Sequence, residues 1–364
     1  MSDLCIHIGI HKTGTTAIQS ALRNVSQDSP HVEWALLEPD YSLIQQFMLA
    51  ESYSQQLVDQ LRSQLEGAAA KFSETSGRSR SVKQFVLSNE GLSGRADTGY
   101  QNVSVVAQML KDAVSEFDSR IIVYLRRQDD WIESMYTQKI HEGESFGFDE
   151  FLTRMEARDS LNFFNYLNTL ETCFDGKLIV RSYHQASAGG IVADFASEIG
   201  CDRLSSCAPA KRVNASYSRF AVEVARLANR QLDQSDRRRL RFVLQDVMAK
   251  SAGERFSFFT EQQRREFLER FSDTNTAVAD RWFGGDVETV FPAPEADGSS
   301  PMQPAGEASE IADLVVQLLQ SVNARTQKPA SPQTSGSRRS PFARVKSKLK
   351  LVARSLKTGR SNRN

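Results

Sequence analysis

Residues 9–16, Gly-Ile-His-Lys-Thr-Gly-Thr-Thr, combine the residue types that hold an anion. Gly9 and Gly14 let the backbone turn without the steric cost of a Cβ atom. Lys12 supplies a full positive charge. Three hydroxyl side chains add hydrogen-bond donors to the same stretch: Thr13, Thr15 and Thr16. The spacing therefore predicts a loop that binds a phosphate-like group.

The segments on either side of this loop are suited to position it. Residues 4–10 form a short apolar run rich in β-branched side chains, which is typical of a buried parallel strand. Residues 17–22 begin an apolar helical pattern. The loop thus connects a strand to the N-terminus of a helix, where exposed amide groups and the helix dipole favour an anion.

The loop has the G-x-x-x-x-G frame of a Walker A loop, but its lysine is at a different position. Thr15 occupies the position where a nucleoside-triphosphate loop has lysine, and Lys12 precedes the second glycine. We therefore expect Lys12 at the front of the loop, beside the bridging or leaving-group oxygen of a phosphate ester. Residues 11–16, His-Lys-Thr-Gly-Thr-Thr, resemble the 5′-phosphosulfate loop of the sulfotransferase family, which binds 3′-phosphoadenosine 5′-phosphosulfate (PAPS). The resemblance implies that these residues contact PAPS: Lys12, Thr13, Gly14, Thr15 and Thr16.

A second pair of residues can clamp a terminal phosphate. Arg126 ends a predicted strand, and Ser134 lies eight residues later on the helix that follows. An arginine offers charge-assisted hydrogen bonds and a serine a neutral one. The pair resembles the 3′-phosphate-binding element of sulfotransferases, and Arg127 is expected to add a second charge.

Further fragments are similar to bacterial, carbohydrate-type members of the family, namely residues 129–138, 180–183 and 214–218. The resemblance covers roughly residues 4–290. It implies that Lys211 and Arg212, which precede the last fragment, close over the adenine or the 3′-phosphate.

Glu90 is the candidate general base. It follows the predicted strand 83–88, and open α/β sheets place their chemistry at the carboxyl ends of strands. Sulfuryl transfer to a hydroxyl needs a base for the proton and a cation for the departing negative charge, and Lys12 is the candidate cation. The resemblance also implies a glutamate base. His11, which adjoins Lys12, is the alternative, and no metal is expected.

The order of predicted elements defines a fold class. The predicted strands are residues 4–10, 83–88, 120–125 and 177–181. Helical patterns alternate with them, which predicts an α/β fold with a central parallel sheet and helices on both faces. With the loop at residues 9–16, this becomes a P-loop-like nucleotide-binding fold, and residues 216–285 add a helical C-terminal half.

We predict a sulfotransferase domain over residues 1–291 and three segments after it. Residues 292–309 read as a linker rich in Pro, Ala, Gly and Ser, and residues 310–325 as an amphipathic helix. Residues 326–364 are expected to be a disordered basic tail. Residues 338–364 carry ten Lys or Arg and no Asp or Glu, in a chain whose formal net charge is zero.

The tail permits two interpretations. Its apolar residues recur every three or four positions, so residues 338–357 are able to form a basic amphipathic helix on an anionic membrane surface. A disordered extension is the alternative. The chain has four scattered cysteines, no leader-like N-terminus and no apolar run long enough to span a membrane, which predicts a cytoplasmic protein.

Two functions from different classes follow from the sequence. The first is a PAPS-dependent sulfotransferase acting on a hydroxyl of a carbohydrate, a glycolipid or another small acceptor. The second is a non-catalytic, P-loop-like nucleotide-binding module that docks to a membrane or partner through the basic tail. Nucleic acid is an unlikely partner because a single aromatic residue, Phe342, interleaves with the charges of the tail.

Overall fold

The computed structural model describes residues 2–28, 34–75, 84–156, 161–205, 217–247, 256–294, 308–313 and 315–316 of the 364-residue chain. Its centre is a five-stranded sheet in the order β2-β3-β1-β4-β5, in which every neighbouring pair is parallel. The strands are β1 (Ser2–His7), β2 (Trp34–Leu37), β3 (Gln84–Ser88), β4 (Phe117–Leu125) and β5 (Leu178–Ser182). The predicted α/β class with a central parallel sheet is confirmed.

Helices connect and follow the strands. In chain order they are α1 (Thr15–Asp28), α2 (Tyr41–Leu49), α3 (Gln55–Thr75), α4 (Val103–Ala113), α5 (Gln128–Glu142), α6 (Phe148–Glu156), α7 (Phe163–Cys173), α8 (Tyr183–Gly189), α9 (Ile191–Glu198), α10 (Asp202–Ser205), α11 (Arg219–Asn229), α12 (Gln234–Val247), α13 (Glu261–Glu269), α14 (Ser272–Trp282) and α15 (Val287–Val290). Two short 3-10 turns, Glu90–Ser93 and Ala96–Thr98, lie between β3 and α4. None of the described helices is long and apolar enough to cross a membrane.

Both faces of the sheet are buried. On one face, Cys5 and Ile122 of the central strands pack with Ile18 of α1 and Phe195 of α9. The strand residues that point the other way are equally inaccessible, as Ile6 and Val123 show. Successive strand side chains alternate between the faces, so the buried stretches 4–6 of β1 and 121–125 of β4 need apolar residues at successive positions. This explains why these two strands are easy to recognise in the sequence.

The sequence prediction was wrong about the number of strands. Trp34–Leu37 forms a fifth strand, β2, that pairs with β3. It has four residues, none of them β-branched, and Ala and Leu favour helices when isolated, so its strand conformation depends on the pairing. Two helices, α2 and α3, lie between β2 and β3, and residues 50–54 separate them.

The chain forms two compact units. The first comprises residues 1–132, 152–211 and 261–294 and holds the sheet. The second comprises residues 133–151, 212–260 and 295–364.

The predicted domain 1–291 stays a prediction, as do the segments that follow it. Of the predicted amphipathic helix over residues 310–325, residues 310–313 and 315–316 are described; they are helical, and Ile311 and Val315 are buried. The basic tail lies outside the described residues.

Candidate functional site

The loop between β1 and α1 turns sharply at two positions. Lys12 has φ +71° and Gly14 has φ +84°. Glycine adopts this left-handed region freely, whereas a lysine there is strained and needs support from its surroundings. The Gly14 carbonyl then accepts hydrogen bonds from the amides of Ala17 (2.9 Å) and Ile18 (3.3 Å), which begins helix α1. The predicted strand, loop and helix are therefore present in this order.

The three threonines of the loop have different environments. The Thr13 hydroxyl is fully buried and donates to the Ile10 carbonyl at 2.5 Å, so its proton braces the loop. Thr15 is buried, and its Oγ1 has no hydrogen-bond partner among the described residues. Thr16 is exposed in the first turn of α1. A buried hydroxyl without a partner is costly, so Thr15 fits a ligand that accepts its hydrogen bond.

Three side chains surround the position that a Cβ atom on Gly9 would occupy. A Cβ atom on Gly9 would lie 2.2 Å from Thr15 Oγ1, 3.1 Å from Thr13 Oγ1 and 3.3 Å from His7 Nε2. No residue but glycine fits there without a shift of the loop. The Gly9 carbonyl also accepts a hydrogen bond of 2.9 Å from the Ser93 hydroxyl, which links the loop to the segment after β3.

Glu90 lies beside Lys12. β1 and β3 are paired so that His7 is opposite Ser88, and both strands end at the same edge of the sheet. The Asn89 carboxamide accepts a hydrogen bond from the Gly91 amide at 2.9 Å and so fixes the turn that carries Glu90. Burial raises the pKa of Glu90, and the Lys12 charge lowers it in part. The structure thus brings together the two residues that the sequence predicted for acid–base and charge chemistry.

His11 is held by Tyr100. The Tyr100 hydroxyl accepts a hydrogen bond from the His11 amide at 3.1 Å and lies 3.2 Å from His11 Nδ1. Burial raises the pKa of Tyr100 well above its ordinary value, so the hydroxyl keeps its proton. Tyr100 therefore occupies the Nδ1 side of the His11 ring.

Tyr100 is a residue that sequence reasoning missed. It is 3% exposed and has φ +63°, an unusual conformation for a bulky side chain. Neither its burial under the loop nor its backbone conformation has a signal in the sequence.

Arg126 reaches the loop from the end of β4. Its Nη1 donates to the Lys12 carbonyl at 3.0 Å, and its Cζ lies 5.1 Å from the centre of the Tyr183 ring. Its Nε is buried without a hydrogen-bond partner among the described residues. Arg126 therefore belongs to the same site as Lys12.

Arg127 does not add the expected second charge, and this part of the sequence prediction was wrong. The side chain is buried and donates to both carboxylate oxygens of Asp129, at 2.6 and 3.1 Å. It also donates to the Pro292 carbonyl at 2.7 Å and lies 3.2 Å from an Asp130 carboxylate oxygen. Its charge is therefore compensated inside the protein. The neighbouring His184 accepts a hydrogen bond from the Arg127 amide at its Nε2, and burial lowers the pKa of His184.

The other predicted ligands stay predictions. Ser134 is half-buried on α5, in the second unit of the chain. Lys211 and Arg212 lie outside the described residues. Within the described ranges, no group of three or more His, Cys, Asp or Glu side chains is arranged to hold a metal ion.

Fold and site together define a parallel α/β protein with a lysine-bearing strand–loop–helix element at the carboxyl edge of its sheet. No protein-family model and no solved structure matches the chain significantly. The chain is 27% identical over 187 residues to an uncharacterized protein of Archaeoglobus fulgidus. That alignment spans 49% of this chain and 50% of the archaeal protein.

Proposed function

We propose that the chain is a sulfotransferase that moves a sulfuryl group from PAPS to a hydroxyl of a carbohydrate or glycolipid acceptor. The observation that carries the proposal is the placement of Lys12 beside Glu90 at the carboxyl ends of the paired strands β1 and β3. A cation and a carboxylate at one edge of a parallel sheet are the two groups that transfer to a hydroxyl requires.

The loop fits the 5′ end of the donor. The unpartnered hydroxyl of Thr15, the close approach allowed by Gly9 and the charge of Lys12 surround the start of α1. The amide of Gly14 and the exposed side chain of Thr16 complete the proposed set of ligands, while Thr13 braces the loop. These are hydrogen-bond donors and a cation, which is the chemistry that an anionic ester needs.

The 3′-phosphate is assigned to Arg126 and Ser134. The guanidinium of Arg126 has five N–H donors, so its hydrogen bond to the Lys12 carbonyl leaves capacity for a phosphate. Lys211 and Arg212 are proposed to close over the adenine or the same phosphate. Arg127 is left out because Asp129 neutralises it.

Glu90 and Lys12 would have different roles in the reaction. PAPS, when bound, supplies the sulfuryl group, whose sulfur bonds to the acceptor oxygen as its bond to the 5′-phosphate oxygen breaks. Glu90 takes the proton of the acceptor hydroxyl, and its raised pKa makes the carboxylate a stronger base. Lys12 stabilises the negative charge on the leaving phosphate. His11, whose Nδ1 lies 3.2 Å from the Tyr100 hydroxyl, is the alternative base.

The acceptor class and the cellular location rest on the resemblance and on composition. We propose that the protein works in the cytoplasm, with the basic segment 338–357 in peripheral contact with an anionic membrane surface. Carbohydrate and glycolipid precursors at such a surface would then be within reach of the site.

Titration calorimetry with adenosine 3′,5′-bisphosphate tests the proposal, in parallel with AMP and with ATP in the absence of metal. We expect the bisphosphate to bind at least tenfold more tightly than AMP, as one charge-assisted phosphate contact can provide. Equal affinities would overturn the sulfotransferase assignment.

Lys12→Ala should then abolish sulfuryl transfer from PAPS while the protein stays folded, with the exposed Lys71→Ala as the control. A Lys12→Ala protein that only binds more weakly, together with a wild type that never transfers sulfate to a panel of hydroxylated acceptors, would favour the non-catalytic binding module.

A further inference from the structure

A buried histidine lies directly beneath the loop. His7 is the last residue of β1, is fully inaccessible to solvent and packs against the rings of Tyr124 and Phe195 at centroid distances of 5.6 and 5.2 Å. Burial lowers the pKa of His7 to about 3, so the ring is neutral at physiological pH. Its Nδ1 lies 2.9 Å from the Ser88 hydroxyl, and its Nε2 has no hydrogen-bond partner among the described residues.

Two unpartnered buried atoms therefore meet beside Gly9. His7 Nε2 and Thr15 Oγ1 lie 3.3 and 2.2 Å from the point that a Cβ on Gly9 would occupy. Buried polar groups almost always have partners, so two such atoms around one point indicate a hydrogen bond that forms in another state of the site.

The Ser88 hydroxyl bears on which nitrogen of His7 carries the proton. Among the described residues its hydrogen-bond partner is His7 Nδ1, and a proton donated there would make Nδ1 the acceptor. The Ser88 carbonyl is held in turn by the side-chain amide of Gln19 at 2.9 Å. Neutral His7 then bears its hydrogen on Nε2, and a donor points to the floor of the loop.

We propose that His7 is a positioning residue for Thr15. Its Nε2–H donates to Thr15 Oγ1, directly or through one buried water, and so turns the Thr15 proton outward to an anion at the start of α1. The relay runs from the Ser88 hydroxyl through the His7 ring to the Thr15 hydroxyl. The opposite tautomer would accept the Thr15 proton and turn it away from the ligand. Only the identity of the anion, the 5′-phosphate end of PAPS, rests on the proposed function.

The tautomer can be measured without any ligand. In a nitrogen-15 NMR spectrum of the full chain labelled at histidine, we expect His7 to show a protonated Nε2 and an unprotonated Nδ1 at pH 7. Ser88→Ala removes the donor to Nδ1 and should make the two tautomers mix, whereas the exposed Ser20→Ala should change nothing at His7. A proton on Nδ1 in the wild type would overturn the proposal.

Two substitutions at position 7 separate the hydrogen bond from packing. His7→Phe keeps an aromatic ring against Tyr124 and Phe195 but has no donor, and His7→Gln places an amide N–H near the position of Nε2. We expect His7→Phe to bind adenosine 3′,5′-bisphosphate about tenfold more weakly and His7→Gln to lie within about threefold of the wild type. Thermal unfolding shows which variants are folded at the temperature of the titration.

A double-mutant cycle connects the effect to Thr15. Thr15→Val should weaken binding at least as much as His7→Phe does, and the double variant should be no weaker than Thr15→Val, because His7 has nothing to orient once the Thr15 hydroxyl is gone. Additive losses, or a folded His7→Phe protein that binds as tightly as the wild type, would overturn the role of His7 and leave the proposed function intact. A wild type that fails to bind the bisphosphate would instead overturn the proposed function, and the tautomer measurement would still decide the relay.

Discussion

The guanidinium of Arg126 donates a hydrogen bond of 3.0 Å to the backbone carbonyl of Lys12, so the end of β4 is tied directly to the loop after β1. Lys12 has φ +71°, and this contact holds it in a conformation that a lysine would otherwise leave. Arg126, which is predicted to bind the 3′-phosphate of PAPS, thus also stabilises the loop that is predicted to bind the 5′ end. The two halves of the proposed donor site are linked through one side chain.

We predict that Arg126→Ala weakens the binding of AMP and of adenosine 3′,5′-bisphosphate unequally. The loss of the loop contact should cost AMP about threefold to tenfold, because a typical neutral hydrogen bond contributes about 1 kcal/mol. The bisphosphate should lose about tenfold more than AMP, since it also loses a charge-assisted contact. Titration calorimetry measures both, with Arg23→Ala as a control on the surface of α1. Unchanged AMP affinity would contradict the anchoring role, and equal losses would contradict the 3′-phosphate contact.

The neighbouring arginine should behave differently. Asp129 is fully buried and receives Arg127 at both carboxylate oxygens, with Arg264 at 3.4 Å. Asp129→Asn removes the fully buried carboxylate and leaves Arg127 with the partly exposed Asp130 as its counter-charge, so we expect a loss of about 3 kcal/mol in the free energy of unfolding.

Glu38→Gln is the matched control for this change. It breaks the exposed ion pair with Arg23, in which both side chains are about half exposed, and should cost less than about 1 kcal/mol. Urea denaturation of the full chain measures both variants. A similar, small loss for the two substitutions would show that the Arg127 pair is not structural.

The sequence predicted those parts of the site that depend on local pattern. Lys12 was predicted from the apolar run of β1, the glycine spacing and the helix start that surround it. Glu90 was predicted from the polar residues that follow β3. Parallel strands share their carboxyl edge, so two such segments are expected to meet even when about eighty residues separate them.

The parts that were missed depend on side-chain packing. Arg126 and Arg127 are adjacent and of one type, yet Asp129 neutralises only the second. Both arginines follow the last residue of β4, and which of them turns to the buried Asp129 is decided by packing. Tyr100 and His7 belong to no sequence motif either. Their contacts with the loop exist only in the folded protein, so the sequence does not predict them.

Gly9→Ala should disrupt the loop. The added Cβ would lie 2.2 Å from Thr15 Oγ1, so the loop or the start of α1 has to move. We expect a loss of about 1–3 kcal/mol in the free energy of unfolding and a loss of measurable bisphosphate binding. Gly67→Ala is the matched control, as Gly67 lies in α3 with no heavy atom within 4 Å of an added Cβ. That change should stabilise the protein by about 0.5–1 kcal/mol. Unchanged bisphosphate binding by Gly9→Ala would mean that the ligand does not bind in the loop beside Gly9.

Glu90→Gln is predicted to reduce turnover and to increase stability. Burial raises the pKa of Glu90 above the value it has in the unfolded chain. Between these two values the folded state binds more protons than the unfolded state, so stability falls as pH rises through that interval and the loss is complete above the raised pKa. Glutamine has a similar shape and no charge, so it avoids this loss.

At pH 7 we therefore expect Glu90→Gln to be more stable than the wild type, with the difference vanishing at a pH below the ordinary glutamate pKa. Turnover should fall about 10²- to 10⁴-fold, because a positioned base contributes that much. Thermal unfolding as a function of pH and a sulfuryl-transfer assay measure the two effects, and Glu66→Gln on the exposed side of α3 should change neither. A stabilised variant with full activity would assign the base to His11, and a destabilised one would mean that the Glu90 carboxylate supports the fold through its contact with Lys12. If the protein keeps a costly buried carboxylate at Glu90 because catalysis needs it, then Glu90→Gln must lose activity and gain stability.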